Sequence, residues 1–198
     1  MLMNIKKITF PLALLLVGAG SAYAQKPAST VGLAVAYGRD RILSNNQYTS
    51  VSHSAYQGGL TADVYVSKAL SFHPEVLYTM RYFDTSNNED LNRDISSVDV
   101  PLLARYHAGG LFLEAGPEVD LPVKAVNEAG DNVKSQINSV ALNYVLGVGY
   151  QLGHGPSLGV RYDGGASNVF KHDAATTLGS GNFKSSAVFV VLGYSFGS

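Results

Sequence analysis

From Val31 onward apolar and polar side chains alternate with a period of two, as in a strand whose two faces meet different surroundings. Val31, Leu33, Val35 and Tyr37 share one face, with Gly32, Ala34, Ala36 and Gly38 on the other. Leu60, Ala62, Val64 and Val66 oppose Gly59, Thr61, Asp63 and Tyr65. Phe72, Val76, Tyr78, Met80 and Tyr82 oppose Ser71, His73, Glu75, Thr79 and Arg81. Val98, Val100, Leu102, Ala104 and Tyr106 oppose Asp99, Leu103 and Arg105. Leu111, Leu113, Ala115 and Val119 oppose Phe112, Glu114, Gly116 and Glu118. In the sixth segment Val140, Leu142, Tyr144, Leu146, Val148 and Tyr150 oppose Ala141, Asn143, Val145, Gly147, Gly149 and Gln151. Leu158, Val160 and Tyr162 oppose Gly159, Arg161 and Asp163. In the last, Val188, Val190, Leu192, Tyr194 and Phe196 oppose Ala187, Phe189, Val191, Gly193 and Ser195, so both faces are largely apolar.

The connections alternate as well. Long ones (Arg39 to Ala55, Phe83 to Asp94, Asp120 to Asn138, Ala166 to Asn182) take turns with short ones (Ser67 to Ala69, His107 to Gly110, Leu152 to Gly155). In an up-and-down meander this puts every long loop at one end, as in bacterial transmembrane barrels with short periplasmic turns and long extracellular loops. Strands of about 8 to 11 residues suffice for a tilted crossing of the hydrocarbon layer. The pattern predicts an all-β, eight-stranded, antiparallel, up-and-down transmembrane β-barrel with four mobile surface loops.

The polar face decides which side is inside. A soluble barrel turns its apolar face inward and covers the other with Lys and Glu. Here no lysine of the segment 25–198 stands mid-strand. The polar face mixes glycines with Asp63, His73, Glu75, Arg81, Asp99, Arg105, Glu114, Arg161 and Asp163. Small residues beside charges of both signs suit the interior of an eight-stranded barrel, which has room only for side chains. These nine residues are the candidate interior charge network, a salt-bridged plug. Folding about the short turns sets Asp63 opposite His73 and Arg161 opposite Gly147, whose missing side chain leaves space for the guanidinium. Aromatic residues on the apolar face gather near the strand ends, as in interfacial girdles: Tyr37, Tyr56, Tyr82 and Tyr162 toward the loops, Phe72, Tyr106, Tyr150, Tyr194 and Phe196 toward the turns. Tyr78 and Tyr144 fall deeper by this count. Pro74, Pro101 and Pro117 interrupt strands, each removing a ladder donor, and Pro101 has no explanation from the pattern.

Composition agrees with this class. The 198 residues are 46% hydrophobic and 15% charged, with a formal net charge of −1. Disorder and a nucleic-acid platform are therefore disfavoured. With no Cys there is no disulfide, thiolate nucleophile or Cys-ligated zinc. Residues 1–24 read as a signal peptide: Lys6 and Lys7, an apolar stretch from Ile8 to Val17, and Ala22-Tyr23-Ala24 before Gln25. Residues 25–198 form the barrel domain.

Several strings resemble a known family. Leu70-Ser71-Phe72-His73-Pro74-Glu75-Val76-Leu77-Tyr78, Val98-Asp99-Val100-Pro101-Leu102-Leu103-Ala104-Arg105-Tyr106 and Leu113-Glu114-Ala115-Gly116-Pro117 are similar to the small outer-membrane β-barrel proteins of Gram-negative bacteria ("porin family", PorT-like). Gly147-Val148-Gly149-Tyr150 and Gly159-Val160-Arg161-Tyr162 extend the resemblance over nearly all of the segment after residue 24. The family pattern carries the same prolines. The terminal Val190-x-Leu192-x-Tyr194-x-Phe196 resembles the signal read by the outer-membrane insertion machinery, here followed by Gly197-Ser198. The resemblance implies the cell outer membrane and the barrel fold; it implies little about activity, since one fold hosts many functions.

Candidate chemistry is sparse. Ser50, Ser52, His53 and Ser54 in the first long loop and His172 and Asp173 in the last allow a Ser–His–Asp grouping in a closed barrel. No Gly-x-Ser-x-Gly elbow accompanies them. His172-Asp173 and Asn127-Glu128-Ala129-Gly130-Asp131-Asn132 lack EF-hand or zinc spacing. Gly147-Val148-Gly149 lacks the third glycine of a dinucleotide fingerprint. Glu75, Glu114 and Arg105 read as internally paired charge before a catalytic site. The reading is a monomeric, non-enzymatic barrel without cofactor. Its partners are outer-membrane lipid, the insertion machinery and an extracellular ligand, with no nucleic acid. A narrow solute or ion pore is the alternative, and a lipid-modifying enzyme the third.

Overall fold

In a computed structural model the chain forms a closed barrel of eight antiparallel strands in sequential order. The structure describes residues 27–44, 53–83, 93–127, 129–134, 137–153, 155–167 and 183–196. The strands are β1 Thr30–Ser44, β2 His53–Tyr65, β3 Leu70–Phe83, β4 Arg93–Ala108, β5 Leu111–Asn127, β6 Ala141–Gln151, β7 Pro156–Gly165 and β8 Phe183–Phe196. Contact between β8 and β1 closes the wall, running from Val31 opposite Phe196 to Ser44 opposite Phe183. Segment 1–24, expected to be a signal peptide, and the loop residues Ser50, Ser52, His172 and Asp173 lie outside the described residues.

The alternation lands on the faces anticipated from hydropathy. Leu113, Leu146 and Leu192 point outward and keep 58%, 52% and 55% of their surface exposed, whereas Leu103, Val145 and Phe189 point inward and keep none. In hydrocarbon an exposed leucine is at no disadvantage. In water a belt of this kind would be a continuous aggregating surface.

Most strands run further than the 8 to 11 residues expected. β5 has 17 residues and β4 has 16. The additions lie at the loop end, where β1 continues through Arg39, Asp40 and Arg41, and β5 through Lys124 to Asn127. Above the lipid the outward face meets water instead of hydrocarbon, so the apolar alternation stops while the hydrogen-bonded ladder continues and inward Asp40, Ile95 and Ala125 stay buried. A register shift between Ser96 and Ser97 marks a bulge, leaving Val123 extra on β5. The long connections are correspondingly shorter than the pattern suggested. The third is not a free loop either. Val133 donates its N–H to Ala125 at 3.0 Å, and Val133 and Ile137 pack on inward-facing Ile95 and Ala125 at the mouth of the barrel. At the opposite end, the β4–β5 turn is two glycines with φ of 60° and 93°, the left-handed pair a tight hairpin needs.

Register also corrects the depth of two tyrosines. Following partner residues around the wall from Val31 returns to β1 at Arg41, ten residues further along. The strands of such a staggered barrel tilt by about 35–45°, and each partner stands about 1.25 residues higher than the last. On that scale Tyr78 and Tyr144 come level with Tyr37 and Tyr56 and belong to the girdle nearer the loops.

The prolines sit beside three gaps in the ladder. Pairing of β2 with β3 passes from Thr61–Glu75 to Val64–Phe72, skipping His73 and Pro74. Pairing of β3 with β4 skips Glu75 and Val76 against Val100 and Pro101, and that of β4 with β5 skips Leu102 and Leu103 against Gly116 and Pro117. On its other side each proline is paired: Pro74 with Leu102, Pro101 with Glu118, Pro117 with Tyr144. Each therefore forfeits bonding toward one neighbour only, and the register is the same on both sides of each gap. This is the account of Pro101 that the pattern lacked.

The lipid-facing assignment has a direct test. Leu146→Arg places a guanidinium on the apolar belt at a cost of about 2–4 kcal/mol near the midplane. It should abolish the heat-dependent gel shift of folded barrel in outer-membrane fractions. Lys134→Ala, at an exposed position of the third connection, should leave that shift unchanged.

Candidate functional site in the barrel interior

Inward-facing charged side chains form two tiers. The tier nearer the short turns is a closed ring. Arg161 on β7 grips Glu75 on β3 with two parallel bonds, Nη1 to Oε2 at 2.7 Å and Nη2 to Oε1 at 2.9 Å. Its Nε and Nη2 also donate to Glu114 Oε1 on β5 at 3.0 and 2.9 Å. Arg105 on β4 donates from Nε and Nη2 to Glu114 Oε2 at 3.0 and 2.8 Å, and from Nη1 to Asp63 Oδ2 on β2 at 3.2 Å. His73 on β3 completes the circuit between Asp63 Oδ1 at 2.9 Å and Glu75 Oε1 at 2.8 Å. Only an imidazolium offers N–H at both ring nitrogens, and in that form three carboxylates face three cations.

The sequence folds this way for identifiable reasons. The β2–β3 turn sets Asp63 and His73 on facing strands, and the β4–β5 hairpin pairs Arg105 with Glu114. Gly147 lies between Glu114 and Arg161, its partners on β5 and β7. A Cβ there would come 2.6 Å from Glu114 Oε1, so only glycine lets the two strands share an ion pair across β6. Phe112 supports the ring from the turn side, with the Arg105 guanidinium 4.3 Å from its ring centre.

The second tier is built around Arg81 on β3. It faces Asp40 on β1 at 3.3 Å, Asp99 on β4 at 2.9 Å and Asp120 on β5 at 3.0 Å, and donates to Ser97 Oγ at 2.8 Å. Thr79 and Ser97 hydroxyls donate to Asp99, and Ser185 donates to Asp40. All nine sequence-derived network residues are buried in the interior. Eight share one or other tier. Asp163 does not: it is 5% exposed, yet neither carboxylate oxygen has a hydrogen-bond partner among the described residues.

Three interior carboxylates escaped the sequence-derived network. Asp40 and Asp120 fell in what hydropathy treated as loop, because apolar alternation ends before them. Counting parity onward from Tyr37 and Val119 would have turned both inward. Glu118 was placed on the inner face but left without a partner; it accepts from Asn143 Nδ2 at 2.9 Å.

Other candidate chemistry does not assemble. The Ser–His–Asp grouping rests partly on residues outside those described. Among the described residues no group of three or more His, Asp or Glu has metal-binding geometry. Asn127 and Asp131 hydrogen-bond to each other within their own turn, as Asp131 N–H to Asn127 Oδ1 at 2.7 Å. What the arrangement does is fill the bore. A cavity of about 20 Å³ remains beside the ring, lined by Ala34, Thr61, Gly159 and Gly193, room for about one water.

Comparison with known proteins follows the same lines. A family model described as "Outer membrane protein beta-barrel domain" matches residues 23–171. A search of curated proteins gives no significant match. Among solved structures, Neisserial surface protein A aligns with a TM-score of 0.63 at 14% identity, covering 86% of this chain and 100% of that one. Ail, the attachment invasion locus protein of Yersinia pestis, aligns with a TM-score of 0.53 at 13% identity, covering 86% and 100%. A second structure of Ail, in complex with the heparin analogue sucrose octasulfate, aligns with a TM-score of 0.52 at 14% identity over the same shares. At such identities the likeness is one of fold.

The network makes a quantitative prediction. Arg161→Met leaves Glu75 with His73 alone and Glu114 with Arg105 alone, and should destabilise the barrel by about 3–5 kcal/mol, measured by urea unfolding in lipid vesicles. Gly147→Val should act in the same direction by displacing Glu114 from both arginines.

Proposed function

The chain belongs to the outer membrane protein β-barrel domain family, and on that footing we propose that it is a non-enzymatic envelope protein that works through its extracellular end. The protein resides in the outer membrane. The observation that carries the proposal is the filled bore. Arg161 ties β7 to β3 across the bore, Arg105 and Arg81 each tie strands two apart, and the cavity beside the ring has room for about one water. A solute path along the axis would have to break bidentate ion pairs in a low-dielectric interior, which argues against the pore alternative. What distinguishes this barrel chemically is then left to the ends of the strands and the loops above them. Two proteins of similar fold, Neisserial surface protein A and the attachment invasion locus protein Ail, carry names that speak of roles of that kind for those proteins.

Residues 1–24 are the export signal in this reading. β8 presents the assembly signal, since Val190, Leu192, Tyr194 and Phe196 all stand on its outward face, each about half exposed. The insertion machinery is the partner that would read it.

Conductance separates the proposal from a pore. Purified barrel in a planar bilayer should give no stable single-channel steps, and reproducible steps from the unmodified protein would overturn the filled-bore reading. Lipid analysis of a deletion strain addresses the enzyme alternative; unchanged lipid A and phospholipids are the expected result.

A further inference from the structure

The outer wall carries a feature that neither the filled bore nor the apolar belt requires. Beyond Tyr37, β1 turns Arg39 and Arg41 outward, and both are exposed. β8 adds exposed Lys184, paired with Leu43 just beyond the Arg41–Ser186 pair, so the three cations cluster across one strand junction. Among the described residues the outward faces of β8 and β1–β3 carry no carboxylate. Next to this cluster a groove of about 720 Å³ runs across the loop ends of β1–β4, lined by the outward-facing Arg39, Ser54, Tyr56, Met80, Tyr82 and Asp94 and by the buried His53. Its floor is aromatic and apolar: Tyr56 lies 5.2 Å from Tyr37 and 6.2 Å from Tyr82, centre to centre. Arg39 and Ser54 both hydrogen-bond the Tyr37 hydroxyl, so the rim of the groove is tied to the girdle.

We propose that this groove and the adjoining Arg39, Arg41 and Lys184 form a binding site for a phosphorylated glycolipid of the outer leaflet. The height fits, because Arg39 and Arg41 stand two and four residues beyond Tyr37 of the girdle, with Lys184 slightly further on opposite Leu43, where headgroups begin. The chemistry fits in three parts. Arginine forks pair with phosphate oxygens bidentately. Tyrosine rings offer flat faces to a sugar, and Asp94 at the far end accepts from sugar hydroxyls. Met80, on the lipid-facing side of β3, meets the upper acyl chain. The groove opens onto the same surface as the apolar belt, so a lipid enters it laterally without leaving the membrane. A soluble anion would gain the phosphate contacts alone.

The test uses full-length barrel in phosphatidylcholine nanodiscs doped with lipid A, with dephosphorylated lipid A and phosphatidylglycerol as separate arms. Lipid retained per barrel is read by native mass spectrometry. Unmodified protein should retain lipid A at least about tenfold better than either comparison lipid. The triple variant Arg39→Gln, Arg41→Gln, Lys184→Gln should lose about that preference, while Lys124→Gln on β5 keeps it. Equal retention of phosphatidylglycerol would overturn the glycolipid assignment, and lipid A retention indifferent to dephosphorylation would overturn the phosphate contact. Both arms use unmodified protein and stand even if the triple variant does not fold. A triple variant that folds and binds unchanged would place the lipid elsewhere. None of these outcomes depends on what the loops bind or on whether the bore conducts.

Discussion

Hydrocarbon accepts no unpaired polar group, and this constraint organises the whole molecule. It requires the backbone to close on itself, because an open sheet edge in lipid leaves a row of N–H and C=O groups without partners. At the level of the apolar belt it sends the charged side chains of the described residues inward. With eight strands the interior is too narrow for those charges to be hydrated freely, so they must neutralise one another. The ring of Asp63, His73, Glu75, Arg161, Glu114 and Arg105 is the result: six ionic groups on five strands, alternating in sign around a circuit.

The two tiers answer that demand differently. The ring is balanced, each carboxylate held between two cations. The tier above sets three carboxylates about the single Arg81 and relies on Thr79, Ser97 and Ser185 hydroxyls to complete the bonding. Hydroxyls are economical there, since they donate without adding bulk or a counter-charge. Above both, Val133 and Ile137 pack on Ile95 and Ala125, so on the β4–β5 side the bore passes from ionic to apolar toward the loop end.

Much of this was legible in the sequence where a single physical rule governs a run of residues. Period two fixed the strands and their facing, including Phe189 and Leu103 as interior residues among outward-facing valines and leucines. Short turns made the Asp63–His73 and Arg161–Gly147 juxtapositions readable by counting. Legibility ended where the outward face left the lipid. Arg39 to Ser44 and Lys124 to Asn127 continue as strand because hydrogen bonding persists, and hydropathy does not register hydrogen bonding. Asp40 and Asp120 were lost from the network for that reason. The girdle position of Tyr78 and Tyr144 depends on shear, a property of the closed barrel that no one strand encodes. The isolation of Asp163 depends on which of several inward arginines each carboxylate reaches, a matter of three-dimensional competition.

The three ladder gaps form a diagonal across β2 to β5, each one strand over from the last, whereas the other five strand junctions are paired without interruption. Asp63 and His73 stand opposite each other within the first gap, Glu75 lies in the second, and the Arg105–Glu114 pair sits just to the turn side of the third. Ionic cross-links thus run along the seam where lateral backbone bonding is missing. Five of the eight junctions are stitched throughout by their peptide groups, and the other three, in part, by side chains. The wall therefore has unequal stiffness around its circumference, and cohesion along the seam rises and falls with the charge of the ring.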